Sequence, residues 1–351
     1  MNKIKRESGI ELLKIVAIFI IVLAHMTQCL SRSDAYAFFI DLNQASMNPT
    51  LLVLNFFSPL GALGNDLFFI CSAWFLCDKK NIHRQKIAYL EADIWLISVV
   101  VLLVFLFMGT YHITYMDIMN SVFPTLTNSY WYTTCYMMIL LFSPWINLIL
   151  QKASEKELFS IALLLGIGYF LMQTFADFLG ISLFFSNRFI EFVALYLIIA
   201  YLKLYRLDFT NNRKLNIIML LIGMLGWFAF VLCLNFAGKK INFLSSFNIW
   251  DKNHNVFLVI IAFSLFCLFK GMKFKNSFIN YLSSLSLLIY LIHGNVLVIK
   301  YLLPDCWSLI FELYGHRFDI LWSIILAVGF FVISILVGGY TKSSFNHMST
   351  D

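Results

Sequence analysis

Three ionisable side chains, Glu11, Lys14 and His25, lie within the first apolar stretch of the chain, residues 8–30. The stretch is long enough to cross a bilayer as a helix. Charged groups inside such a helix are costly and usually face a protein interior or an aqueous cavity. Lys14 and His25 are eleven positions apart, which in a helix is three turns plus about 20° and a rise of roughly 16 Å. The spacing predicts that both project from one side of the helix, at different depths.

An imidazole and a cation on one buried stripe could combine proton transfer with binding of an anion. Imidazole titrates near neutral pH and is the side chain that most often serves as a general base. Glu11 lies three residues before Lys14 and is predicted to pair with it. The alternatives are structural: His25 hydrogen-bonds a neighbouring helix, and Lys14 extends to the membrane surface or only pairs with Glu11.

The elements that position these residues are predicted to be membrane-spanning helices. Of the 351 residues, 61% are hydrophobic and 13% are charged, whereas soluble domains have about half and about a quarter. We therefore expect an all-α polytopic membrane protein with about ten transmembrane helices. The predicted spans are 9–30, 51–77, 88–109, 130–150, 157–179, 188–206, 215–237, 254–271, 277–300 and 318–340.

The lysines and arginines indicate how these spans are oriented. If the N-terminus is inside, 17 of the 25 basic residues fall on the inner side and 7 on the outer side. Because cytoplasmic loops are enriched in basic residues, both termini are predicted to be cytoplasmic. The first stretch is too long, and too interrupted by Lys14, to resemble a cleaved signal peptide. The loops are short, so residues 1–351 are expected to form a single integral-membrane domain.

Several classes of partner are not expected. The sequence has no dense basic patch with interleaved aromatic residues, so no nucleic-acid partner is predicted. The seven cysteines have no spacing typical of a metal or redox site, and no metal is expected.

Other polar residues also lie in or near predicted spans. Asp66 is near the outer entry of the second span, where it could equally be a helix N-cap. His293 follows Tyr290 by one turn, and the pair could form a second site within the membrane or only a structural hydrogen bond. Glu91 and Asp93, near the start of the third span, are expected to pair with loop lysines.

Four segments, in a fixed order, resemble the membrane-bound acyltransferase 3 family. They are Lys14, ten residues and His25; residues 64–76, similar to G-x-D-L-F-F-x-x-S-G-F-L; residues 130–147, similar to W-[FY]-L…Y…P; and residues 286–293, similar to S-x-x-x-Y-L-x-H. The resemblance runs from residue 10 to about residue 300. Each motif alone is weak, but four in the family's order form a fairly specific pattern.

The chain departs from the family's pattern at three places. Ala73, followed by Trp74, replaces the glycine of the S-G-F motif, which predicts altered packing around the second helix. Where members often have two arginines three residues apart, this chain has Arg84, with Lys86 nearby. Lys14 stands where many members have arginine, so the charge is kept but the planar fork is lost.

The resemblance implies transfer of an acyl group, usually acetyl, from cytoplasmic acyl-CoA (acetyl-CoA) to a hydroxyl of a cell-surface or exported glycan. It also implies location in a bacterial plasma membrane. His25 would take the hydroxyl proton as that hydroxyl attacks the thioester, or would carry the acyl group briefly, and both routes stay open. Lys14 would hold a CoA phosphate or stabilise charge, as a second catalytic residue.

The remaining candidates would bind substrates. The cations after the second span, Arg84 among them, could attract the CoA phosphates, although they could also serve only as topology determinants. Residues 31–50 and 111–129 are candidate acceptor-selecting segments. The expected partners are acyl-CoA, a glycan or lipid-linked sugar, and the lipid bilayer. The substrate-binding candidates are Glu11, Asp66, Arg84, Tyr290 and His293.

Two other functions fit a bundle of about ten helices. A transporter or flippase for a lipid-linked sugar would also carry charges within the membrane, but would neither bind acyl-CoA nor acylate a glycan. A scaffold subunit of a polysaccharide-export assembly gives no reason for a charged stripe in the first helix, and it ranks last.

Overall fold

The structure is a computed structural model that describes residues 7–32, 59–79, 84–179, 187–240, 255–315 and 318–348, with the isolated positions 53, 56, 57 and 183. Every regular element within these residues is helical. The helices are α1 Ser8–Arg32, α2 Leu60–Leu76, α3 Arg84–Met108, α4 Tyr115–Val122, α5 Trp131–Lys152, α6 Glu155–Leu164, α7 Met172–Leu179, α8 Arg188–Tyr205, α9 Leu207–Asn211, α10 Arg213–Lys240, α11 Val256–Lys270, α12 Ser277–Ser283, α13 Ser286–His293, α14 Leu303–Tyr314 and α15 Asp319–Met348. In the described part of the chain, two π-helical segments, Leu165–Leu171 and Val298–Leu302, precede α7 and α14.

Within the described residues, six helical stretches are long and apolar enough to cross a membrane. They are Ser8–Gln28, Gln85–Met108, Trp131–Lys152, Glu155–Ala176, Arg213–Cys233 and Asp319–Gly339. A bent pair, Ser277–His293 with Val298–Tyr314, passes the same test jointly, and α2 and α11 are apolar but shorter. The all-helical membrane class is therefore confirmed, while ten crossings and cytoplasmic termini remain predictions.

The ninth predicted span, 277–300, is not one straight helix. Its two halves meet at an angle of 63°, and the second half continues to Tyr314. The break follows Gly294 and contains Asn295, whose side chain accepts from the Leu297 N–H at 2.9 Å and donates to the Tyr130 hydroxyl at 2.7 Å. An asparagine side chain that bonds the local backbone competes with helical hydrogen bonds, so the helix ends here and restarts.

The second helix begins at Leu60, directly after Pro59. Proline has no backbone N–H to donate and is tolerated at a helix start. Asp66 therefore lies six residues inside the helix, and the alternative that made it an N-cap is wrong. Most of residues 51–58, the beginning of the second predicted span, lies outside the described residues.

The first helix lies at the centre of the bundle. In its candidate span 61% of the residues are buried, against 17–39% in the other five. It packs closely on α2 because small residues meet there: a Cβ added at Gly64 would lie 2.4 Å from Cγ1 of Ile21 and 2.7 Å from the Ala17 carbonyl oxygen. Small residues let membrane helices approach in this way.

Alanine at Gly64 is expected to destabilise the protein by about 1–3 kcal/mol, because the added methyl group forces the two helices apart. Alanine at Gly166 is the matched control, since a Cβ there meets nothing within 4 Å. The Gly166→Ala control should leave the stability of the protein unchanged or raise it slightly, because alanine favours the helix more than glycine does. The measurement is the thermal midpoint of each purified protein in lipid nanodiscs. Equal midpoints for the two variants would contradict the close approach of α1 and α2.

The connection between α3 and α5 folds back along α3. Thr125 donates to the Glu91 carboxylate at 2.7 Å, so Thr125 is the partner that the structure gives Glu91. Asp117 is buried and accepts from Lys300 at 2.8 Å and from the Tyr301 hydroxyl at 2.8 Å. It also closes a capping box with Thr114 at the start of α4. Polar contacts therefore fix residues 114–125 against α3 and against the π-helical segment that precedes α14.

Asp117→Asn is expected to lower stability by about 1.5–3 kcal/mol through the loss of charge-assisted hydrogen bonds. Burial alone would raise the pKa of the Asp117 carboxyl, but the hydrogen bonds from Lys300, Thr114 and Tyr301 outweigh it and hold that pKa well below its usual range. Because the pKa of Asp117 is lower in the folded than in the unfolded protein, the ionised carboxylate stabilises the fold above the unfolded pKa of about 4. This stability is lost as the pH falls from that value toward the folded-state pKa.

The measurement is the thermal midpoint of wild type and variant between pH 3 and pH 7 in nanodiscs. The destabilisation by Asp117→Asn should be largest at pH 7 and shrink on acidification. Asp305→Asn is the control. Among the described contacts, the exposed Asp305 carboxylate accepts one hydrogen bond, from the Tyr111 hydroxyl at the surface. A variant effect that does not change with pH would contradict the assigned role of the carboxylate.

Candidate functional site

A cavity of about 390 Å³ lies between α1, α2, α3, α5 and the α12–α13 pair. Along the first helix its wall is formed by Lys14, Ile18 and Ile21, one face of that helix. His25 is the next residue on this face, one turn beyond Ile21. The polar residues that line the cavity are Lys14, Asn65, Ser72, Lys86, Tyr89, Asp93, Tyr132, Thr133, Tyr136, Ser283, Ser284, Ser286 and Tyr290.

Lys14 is held at the cavity wall by an ion pair. Its Nζ lies 3.4 Å from both carboxylate oxygens of Glu11, so the pair predicted from their spacing is present. Ser283 of α12 donates to the same carboxylate. Glu11 is itself buried, which means that its contacts fix the position of the Lys14 ammonium rather than reach the cavity.

Lys86 is a second cation on the same cavity. From the sequence Lys86 is expected in the loop after the second span, but α3 begins at Arg84. Lys86, Tyr89, Leu90 and Asp93 all line the cavity. The charge of Lys14 acts on Lys86, so the two ammonium groups repel each other across this space. Arg84 is the first residue of α3, and its side chain is outside the part of the structure described.

His25 and His293 are brought together although 268 positions separate them in the sequence. Their ring centroids are 5.1 Å apart and their planes differ by 39°. His25 is half-buried and His293 is fully buried. The Nδ1 of His293 lies 2.5 Å from the Ile289 carbonyl oxygen. Two histidines in contact were not predicted, because no pattern in the sequence reports contacts over this separation.

Tyrosines connect the cavity with the histidine pair. The ring of Tyr290 lines the cavity, and its centroid is 6.0 Å from that of His293 and 5.8 Å from that of Tyr132. Tyr130 donates to the Leu291 carbonyl at 3.0 Å, which fixes α5 against α13. The four segments that carry the motifs therefore meet around one space.

Asp66 lies apart from this group. It is fully buried, but the described wall of the cavity includes its neighbour Asn65 instead. The Asp66 side chain interacts with Glu191 of α8, and the charge of Arg188 also acts on Glu191. The structure thus brings together Glu11, Lys14, His25, Tyr290 and His293, and leaves Asp66 in a separate carboxyl pair.

Trp74, which follows Ala73 in the second motif, makes contacts with two other helices. Trp74 packs against Phe266 with ring centroids 5.2 Å apart, and the Nζ atoms of Lys270 and Lys203 lie 4.5 Å and 5.5 Å from its ring. Lys203 also donates to the Trp74 carbonyl at 2.5 Å. The indole therefore joins α2, α8 and α11.

The family comparison covers nearly all of these elements. The acyltransferase 3 family model, described as an acyltransferase domain, matches residues 7–341. Neither curated proteins nor solved structures give a match. The family match includes every motif segment and supports acyl transfer as the general activity of this membrane protein. The chain belongs to the acyltransferase 3 family.

Proposed function

We propose that the protein transfers an acetyl group from acetyl-CoA to a hydroxyl of a cell-surface or exported glycan, in a bacterial plasma membrane. One observation carries the proposal: the four motif segments converge on a cavity that has two lysines on its wall, and the same face of α1 leads on to a histidine pair. A donor that carries phosphates needs cations to bind it, and an acid–base reaction needs a titratable group. The lysines are the cations and the histidines are the titratable groups.

Lys14 and Lys86 are proposed to bind the phosphates of the donor. Acyl-CoA is a polyanion, and an ammonium acts on phosphate as a point charge. Arg84, at the start of α3, is proposed to add to this attraction. With both termini in the cytoplasm and ten helices in the membrane, these cations lie on the side where acyl-CoA is found. Glu11 contributes indirectly, because it holds Lys14.

His25 is proposed as the catalytic base. The acceptor oxygen attacks the thioester carbonyl carbon, its proton passes to His25, the carbon–sulfur bond breaks, and the CoA thiolate leaves and takes up a proton. In the second route that remains open, a nitrogen of His25 attacks first and the acyl group passes through an acyl-histidine. The rise of roughly 16 Å between Lys14 and His25 suits a donor that is bound at one end and reacts at the other.

Tyr290 is proposed to contact the acceptor or the pantetheine arm, because its ring forms part of the cavity wall. We propose no direct substrate contact for Asp66, since its side chain interacts with Glu191. His293, expected from the sequence to bind substrate, has its buried ring against His25.

The proposal is tested with the purified protein in nanodiscs, acetyl-labelled acetyl-CoA, and glycans extracted from host cells that lack the gene. We expect release of CoA and incorporation of label into glycan, both dependent on the protein. A transporter or flippase of a lipid-linked sugar would do neither. If the protein binds no acetyl-CoA and labels no glycan, the acyltransferase proposal is wrong and the transport alternative replaces it.

A further inference from the structure

The protonation of the His293 ring can be assigned from its surroundings. Its Nδ1 lies 2.5 Å from the carbonyl oxygen of Ile289. A carbonyl oxygen only accepts, so Nδ1 must carry the hydrogen, and in the neutral ring the lone pair then lies on Nε2. The ring is fully buried. The structure therefore holds an acceptor nitrogen of fixed identity inside the bundle.

This acceptor nitrogen makes no hydrogen bond within the described residues. The Nε2 of His293 is buried and has no partner there, a situation that is rare for buried polar atoms and calls for an explanation. The neighbouring imidazole is that of His25, with ring centroids 5.1 Å apart. This separation of the ring centroids leaves space for a nitrogen–nitrogen hydrogen bond of about 3 Å when the two nitrogens face each other.

We propose that His293 is a positioning residue for His25, with its Nε2 accepting the N–H of His25 during the reaction. The inference rests on the proposed function and deepens it. When one nitrogen of His25 takes the proton of the acceptor hydroxyl, the other nitrogen keeps its hydrogen and donates it to Nε2 of His293. The hydrogen on Nδ1 of His293 stays with the Ile289 carbonyl, and His25 returns its extra proton to the departing thiolate.

A neutral imidazole suits this role at this depth. Catalytic bases are commonly oriented by a third group, often a carboxylate, but a carboxylate within a membrane is costly. His293 offers an acceptor without a charge. It also fixes which nitrogen of His25 faces the reacting atoms, because the other nitrogen is directed to Nε2.

Two substitutions separate this role from a structural one. Asn at position 293 can still donate to the Ile289 carbonyl, since its amide reaches about as far as Nδ1, but it leaves no acceptor at the position of Nε2. Gln reaches farther and can place an acceptor oxygen there, while it gives up the bond to Ile289. The positioning role predicts that Gln is the more active variant, and a structural role predicts that Asn is.

The experiment measures kcat and the KM for acetyl-CoA of the full-length protein in nanodiscs, with glycans from host cells that lack the gene. We expect His293→Asn to lower kcat by about 10–100-fold, as loss of an orienting group does, with an unchanged KM and thermal midpoint. His293→Gln should recover much of the kcat even if its midpoint falls. Asn295→Ala, which removes a buried structural amide nearby, should lower the midpoint without lowering the kcat of the folded protein.

The outcomes separate this inference from the proposed function. Wild-type-like kcat for His293→Asn, or equal kcat for the Asn and Gln variants, overturns the role of His293 and leaves the acyltransferase proposal standing. Absence of transfer by the wild type overturns both, and is seen before any variant is compared.

Discussion

Alanine in place of His25 is expected to lower the rate of acetyl transfer by about 10²–10⁴-fold, the contribution usual for a general base. If the acyl group passes through an acyl-histidine, the loss is at least as large, because the nucleophile itself is removed. His25 is half-buried beside the cavity, so truncation should cost little stability. The measurement is release of CoA and labelling of glycan by the purified variant at saturating acetyl-CoA.

His112→Ala is the matched control for this variant. His112 is exposed in the connection after α3, and only its backbone carbonyl accepts a described hydrogen bond, from Tyr301. Its removal should leave the rate unchanged. Full activity of His25→Ala, at a normal level in the membrane, would show that the base lies elsewhere.

Methionine in place of Lys86 is expected to raise the KM for acetyl-CoA about tenfold, equivalent to about 1.4 kcal/mol of binding, with kcat unchanged. A group that holds the donor equally in the ground and transition states acts in this way. Methionine keeps most of the length of the side chain and removes the charge. The effect should weaken at high salt, because ions screen the attraction between ammonium and phosphate.

Three variants complete this test. Lys79→Met removes an exposed cation outside the cavity wall and should change the KM little. Lys14→Arg should retain binding, since the charge remains beside Glu11, whereas Lys14→Met combined with Lys86→Met should raise the KM about 100-fold if the two effects add. An unchanged KM in the double variant would remove the lysines from the donor site and leave them as determinants of topology.

The stripe on the first helix could be predicted from the sequence because it depends only on helical geometry. A spacing of eleven positions places Lys14 and His25 on one face of any α-helix, and the Glu11–Lys14 pair follows from a spacing of three. The family motifs could be recognised in order along the chain because each is a short run of residues. These features are local, and the structure has them.

The features that could not be predicted from the sequence depend on where helices begin and on which helices pack against each other. Hydropathy places Lys86 in a loop because it precedes the apolar run of the third span, whereas the helix begins at Arg84 and carries Lys86, Tyr89 and Asp93 on its cavity face. The break at Asn295 arises from side-chain hydrogen bonds that hydropathy does not report. The contact between His25 and His293 needs two helices far apart in sequence to pack together.

The most direct test of the central claim compares the surface polysaccharide of cells that carry the intact gene, lack it, or carry His25→Ala. Proton NMR detects O-acetyl groups on the purified polysaccharide, and immunoblotting shows whether the variant is in the membrane. We expect the O-acetyl signals to disappear in both altered strains while the amount and length of polysaccharide stay the same. Unchanged O-acetyl signals together with less or shorter polysaccharide would contradict acetyl transfer and indicate transport.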